Sequence, residues 1–175
     1  MIYVALYLVA IVLANLSIVW AQELFGYTDT VRLVITVFNA LVFIAFDLSS
    51  RDKLHDAWHN RGLVWKMALL IATGSLLSWF LNRQAGQIAV ASFAAFALAG
   101  IADAIVYAVL RWRGVERRSR MNGSNLVSAA IDSLVFPTIA FGGLNWLLTL
   151  GQFAAKVIGG AFWAWLFTRN EDRAD

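Results

Sequence analysis

Six apolar runs divide this chain, over about residues 2–21, 31–48, 63–81, 87–110, 124–141 and 145–167, and most charged residues lie in the short segments between them. Each run has the length an α-helix needs to cross about 30 Å of hydrocarbon. Lipid offers backbone N–H and C=O groups no water to bond, so runs of this length must satisfy themselves as helices. The expected fold is therefore an all-α integral membrane protein, a single polytopic domain over residues 1–175 with six transmembrane helices. Composition agrees: only 14% of residues are charged, against about 25% in an average soluble domain.

That fold excludes several functions. Almost all of the length is spent on helices, so no soluble catalytic domain fits, and no enzyme activity or cofactor is expected. With no cysteine, disulfides, thiolate nucleophiles and Cys-ligated metal centres are ruled out. No Gly-rich phosphate loop with Lys and Ser or Thr is present, so ATP hydrolysis is not expected. The first run follows Met1 without a basic segment, which reads as a retained helix and not a cleaved signal. The formal charge of +3 suggests nucleic acid less than it suggests topology. If both termini share a side, that side holds Arg51, Lys53, Arg61, Lys66, the five Arg between 111 and 120, Arg169 and Arg173. The other side holds only Arg32 and Arg83. This asymmetry predicts cytoplasmic termini. Trp20, Trp79 and Trp146 fall near one interface, and Trp58, Trp65, Trp112 and Trp165 near the other, as an aromatic belt requires.

The most informative stretch is Ser124 to Pro137. On a helical wheel, Ser124, Asn125, Ser128 and Asp132 fall within roughly 100°, and Leu126, Val127, Ile131 and Leu134 fall outside that arc. Asp132 thus sits near the middle of a membrane-length segment, where a carboxylate costs on the order of 3 kcal/mol. It is expected to face a cavity, a partner or a proton pathway. Pro137 removes one amide donor and frees the carbonyl of Ser133 on the same stretch. The competing reading is a helix contact glued by Ser and Asn.

Lys156 lies near the midpoint of the sixth run, with Gln152 on the same strip. A short connection makes runs five and six antiparallel neighbours, so Asp132 and Lys156 can pair and reduce each other's insertion cost. The pair is either structural or part of a solute site with Asn125, Ser128 and Gln152, with Phe136, Phe153 or Trp163 available to stack on a flat ring. Asn15, Asn39, Asp47 and Asp103 are weaker candidates, and Asn15 reads more readily as interhelical glue than as a ligand. Small residues four apart, at Ala10 and Ala14, at Ala91, Ala95 and Ala99, and at Gly151, Ala155 and Gly159, suit close helix packing or a homodimer seam. His55 and His59 are four apart in H-D-A-W-H, which resembles H-E-x-x-H with a shorter acid. The segment is charged and lies outside the runs, so a solvated juxtamembrane amphipathic helix with Leu54, Trp58 and Arg61 on one face is expected in place of a metal site.

Four segments together carry a family resemblance: F-D-L-S-S-R-D-K-L-H-D (Phe46 to Asp56), A-S-F-A-A-F-A-L-A-G-I-A-D (Ala91 to Asp103), N-G-S-N-L-V-S-A-A-I-D-S-L-V-F-P-T-I-A-F-G (Asn122 to Gly142) and F-A-A-K-V-I (Phe153 to Ile158). The chain resembles the VUT family of vitamin uptake transporters, which includes bacterial queuosine precursor transporters. The resemblance implies a six-helix inner-membrane transporter importing 7-cyano-7-deazaguanine or 7-aminomethyl-7-deazaguanine. It also directs attention to N-x-x-S-x-x-x-D, ending at Asp132, and to Lys156. A guanine-type edge offers two adjacent N–H donors to a carboxylate and a carbonyl to an amide. Asn39 with Asp47 faintly echoes Asn125 with Asp132, as a 3+3 inverted repeat would. The rival functions are a substrate-capturing subunit of an energy-coupling-factor importer, docked through the Ala10 and Ala14 strip, and a structural membrane protein without a solute. Expected partners are a small 7-deazaguanine and membrane lipid, with a homodimer possible in principle and no nucleic acid.

Overall fold

The computed structural model describes residues 2–47 and 63–168. The expected amphipathic segment, with His55, His59 and Trp58, and the polar tail lie outside the described residues.

The described residues form six helices and no strand: α1 (Ile2–Phe25), α2 (Asp29–Asp47), α3 (Leu63–Leu81), α4 (Gly86–Trp112), α5 (Arg117–Phe141) and α6 (Trp146–Thr168). Four of them, α1, α2, α4 and α5, contain spans long and apolar enough to cross a membrane, and α3 contributes a shorter apolar stretch, Trp65–Leu81. In α6, Lys156 is the sole charged residue. The polar turns between the runs act as caps. Thr28 Oγ1 accepts from the Val31 amide at 3.3 Å, and Asn145 Oδ1 accepts from the amides of Leu147 and Leu148 at 3.0 and 3.1 Å, so donors left open at the starts of α2 and α6 are satisfied. Gly142 closes α5 at φ +75°, a left-handed conformation that a side chain would strain.

Helix ends run past the expected apolar runs, by about four residues at the end of α1 and most of all between α4 and α5. The Arg-rich stretch from Arg111 to Arg120 is mostly helical: α4 runs to Trp112 and α5 begins at Arg117, about seven residues before the expected apolar start. Arg and Lys rank among good helix formers, so the helix continues once it leaves the apolar layer.

Contacts fix the direction of each helix. Asn39 reaches back to Ala14 and Ser17, Leu110 lies against Gly123, and Gln87 bonds to Ile139, so α1 and α2, and α4 and α5, are antiparallel. Ile11 meets Gly74 and Asn15 meets Ser78, so α1 and α3 are parallel. In the same way α2 and α6 are parallel through Val37 with Gly151 and Ala45 with Gly159. The principal packing pairs close into a ring in the order α1, α3, α4, α5, α6, α2 and back to α1, with α4 and α5 packed most extensively. This order does not display the echo of a 3+3 repeat: α1 packs on α3 among the described residues without a matching α4 and α6 pair.

The small-residue strips face inward. Ala10, Ala14, Ala91, Ala95, Ala99 and Ala155 are all buried within the chain. A Cβ on Gly159 would collide with the carbonyl oxygen of Leu41 and lie 2.6 Å from Ala45 Cβ, so α6 can approach α2 this closely only without a side chain there. The contact falls on a π-helical turn, Ala40–Ile44, within α2. Such turns loosen the regular backbone ladder, and Trp163 Nε1 donates to the Val42 carbonyl at 3.2 Å. Trp20, Trp79 and Trp146 are exposed at one end of the bundle, and Trp65 and Trp112 at the other.

Candidate functional site

The ring surrounds a small cavity of about 20 Å³ bounded by α1, α2, α4, α5 and α6, room for about one water molecule. Asn15, Asn39, Asp132, Gln152 and Lys156, five of the residues singled out from sequence, line it. The spacing explains how each arrives. Asn39 follows Thr36 by one helical turn, Phe136 follows Asp132, and Lys156 follows Gln152, so each helix turns a single face inward.

Lys156 organises one wall. Its ammonium lies 2.5 Å from Asp132 Oδ2 and donates to Ser133 Oγ at 2.9 Å and to Gln152 Oε1 at 3.4 Å. Ser133 is the residue whose carbonyl Pro137 leaves without its helical donor, and its hydroxyl is fully buried. The pair therefore forms as α5 and α6 lie side by side. Burying both charges is tolerable because each meets the other and because hydrogen bonds occupy the remaining ammonium protons. Gln152 Nε2 is buried and finds no acceptor among the described residues.

The facing wall is arranged otherwise. Asn15 Nδ2 donates to Ser78 Oγ at 3.1 Å, and its Oδ1 accepts from Ser92 Oγ at 2.6 Å. Asn39 Nδ2 donates to the Ala14 carbonyl at 3.0 Å, and its Oδ1 accepts from Ser17 Oγ at 3.0 Å. Both ends of each amide are engaged in joining helices: α1 to α3 and α4 through Asn15, and α1 to α2 through Asn39. These two residues line the cavity as struts.

The remaining sequence candidates are placed elsewhere. Asn125, expected on the polar face of α5, is exposed, whereas Ser124, Ser128 and Asp132 are buried. It stands at the edge of the wheel arc, and the inward face is centred on the other three. Ser128 does not line the cavity; it lies one helical turn before Asp132 on the same face, and its Oγ has no partner among the described residues. Asp47 is fully buried at the end of α2, and Asp103 is half-buried on α4, but neither lines the cavity. Of the aromatic candidates only Phe136 does so. Trp163 packs edge-on against Phe46, with ring centres 5.0 Å apart. Phe96, Ser92 and Thr36 also line it, beside the apolar Ala14, Ile18, Ala40 and Ile44, and the sequence reading did not assign these three to a site. A signal was available: Ile88, Ser92 and Phe96 recur every four residues beside the alanine strip, so they share its inward face, and Thr36 lies three residues before Asn39.

Phe136 meets Phe141 edge to face at 6.2 Å, and the Arg32 guanidinium lies 5.4 Å from the centre of the Phe141 ring. Among the described residues no group of three or more His, Cys, Asp or Glu side chains is placed to hold a metal ion. What the site offers is a neutralised carboxylate, an amide donor without an acceptor among the described residues and two phenyl rings, around a space that a planar solute would enter only as the helices part.

The family model described as "Putative vitamin uptake transporter" matches residues 4–169. No curated protein and no solved structure gives a match. With nearly its whole length matched by that model, the chain belongs to the vitamin uptake transporter family.

Proposed function

We propose that this chain is a secondary transporter importing a queuosine precursor, 7-cyano-7-deazaguanine or 7-aminomethyl-7-deazaguanine, across the bacterial inner membrane with both termini cytoplasmic. Family membership supports a vitamin-type uptake transporter. Loop charge supports the orientation. The observation that carries the solute reading is the buried Asp132 and Lys156 pair on the wall of a small central cavity that Phe96 and Phe136 also line. Admitted as the helices part, a deazaguanine would give its ring N–H and amino group to the Asp132 carboxylate. Its flat ring would stack on phenyl faces. Burial of the Ala10 and Ala14 strip inside the bundle favours a self-contained transporter over an energy-coupling-factor subunit that docks through that strip.

Purified protein is expected to gain thermal stability with either deazaguanine and not with biotin, and to lose that gain in Asp132→Asn. Uptake of labelled 7-cyano-7-deazaguanine into proteoliposomes containing this chain alone completes the test. Stabilisation without uptake would point to a partner-dependent subunit, and stabilisation retained in Asp132→Asn would remove the carboxylate from the site.

A further inference from the structure

An ammonium has three N–H donors, and Lys156 directs all of them at protein: Asp132 Oδ2, Ser133 Oγ and Gln152 Oε1. Two consequences follow for the cavity wall. The Gln152 amide is held with its oxygen toward the ammonium, so its nitrogen is the end left over, and that nitrogen is buried without an acceptor among the described residues. The Asp132 carboxylate uses Oδ2 on Lys156, and Oδ1 has no donor among the described residues. One unmet acceptor and one unmet donor therefore stand on adjacent helices, tethered at 2.5 and 3.4 Å to the same nitrogen.

We infer that this couple reads a lactam edge, a ring N–H beside a ring C=O, with Asp132 accepting from the N–H and Gln152 donating to the carbonyl. Lys156 is the positioning residue that fixes which group accepts and which donates. The inference rests on the transporter reading only for the presence of a solute. Its chemistry does not depend on which lactam is carried. Because the ammonium already neutralises the carboxylate, a neutral solute is matched better than a cation. Because Phe96 and Phe136 also line the cavity, a flat ring is matched better than an open-chain amide. An amino group in place of the carbonyl would set donor against donor at Gln152, and a ring nitrogen lacking its proton would set acceptor against acceptor at Asp132. Mismatches of this kind leave buried polar groups unpaired, which is the strongest basis for rejecting a near-isosteric solute.

The test uses the full chain in detergent and compares dissociation constants for 7-deazaguanine and 2,6-diamino-7-deazapurine, which differ at the edge in question. Thymine and pterin serve as lactams on other skeletons. The wild type is expected to prefer the lactam of the deazapurine pair by roughly 100-fold. In Gln152→Met, which keeps the length of the side chain and removes the donor, the preference is expected to fall to roughly tenfold, because the mismatch at Asp132 remains. Equal binding of the two deazapurines by the wild type would overturn the inference without recourse to any variant. So would a preference undiminished in Gln152→Met, or the failure of every lactam in the panel to bind. Binding of thymine or pterin with the same dependence on Gln152, and none of 7-deazaguanine, would uphold the lactam edge and overturn the deazaguanine reading.

Discussion

Asn15 and Asn39 on one wall of the cavity, and Asp132, Gln152 and Lys156 on the other, are each no more than 7% exposed, yet their hydrogen bonds end differently. Both amides of the first group are engaged at both ends by serines or a backbone carbonyl of neighbouring helices. The second group pairs its charges and leaves an amide nitrogen and a carboxylate oxygen without partners among the described residues. Burial and polarity alone do not distinguish a strut from a binding residue inside a membrane protein. The distinction lies in which atoms remain unpaired after the helices have packed.

Four substitutions test that contrast. The largest effect is expected at Lys156. Lys156→Met leaves the Asp132 carboxylate buried without its cation and should cost about 3–5 kcal/mol of stability, read as a fall in the thermal midpoint in detergent. Adding Asp132→Asn in the same chain should return most of that loss, and a double-mutant cycle measures the coupling. An intermediate effect is expected on the other wall. Asn15→Leu removes two interhelical hydrogen bonds and should cost about 1–2 kcal/mol. If Asn15 is a strut, the dissociation constant for a bound deazaguanine should stay within a factor of about three once the protein is folded; a much larger change would move Asn15 into the binding group and dissolve the contrast. The smallest effect is expected at Ser128, whose buried hydroxyl has no partner among the described residues. Ser128→Ala should shift stability by less than about 0.5 kcal/mol, and a larger loss would show that the hydroxyl is bonded.

Much of this was legible in the sequence because the membrane limits the choices. Runs of the right length had to be helices, and a short turn between runs five and six had to bring Asp132 and Lys156 together. Small residues four apart had to mark close packing. Three things were not legible. The partners of Asn15 are Ser78 and Ser92, which lie 63 and 77 residues away, and no local pattern connects them. The inward direction of α5 depends on what packs against it, so a wheel arc broad enough to include Asn125 could not tell which edge of the arc would face outward. The π-helical turn in α2 coincides with the close approach of α6 to Leu41 and Ala45 at Gly159, a tertiary contact with no signature in A-L-V-F-I.

The closed ring also bears on how the protein is made. Helices emerge from synthesis in chain order, and the ring closes only where α6 meets α2, so the last helix produced completes the enclosure. Asp132 enters on α5 before either Gln152 or Lys156 exists. Until α6 arrives, the nascent chain carries a carboxylate in mid-membrane with no cation to answer it, and the seat that will hold α6 is an open groove beside the π-helical turn. A chain ending before Trp146 would thus lack the site and also retain the most costly group in the bundle without its counter-charge, so cellular quality control could recognise unfinished copies by that exposed acid.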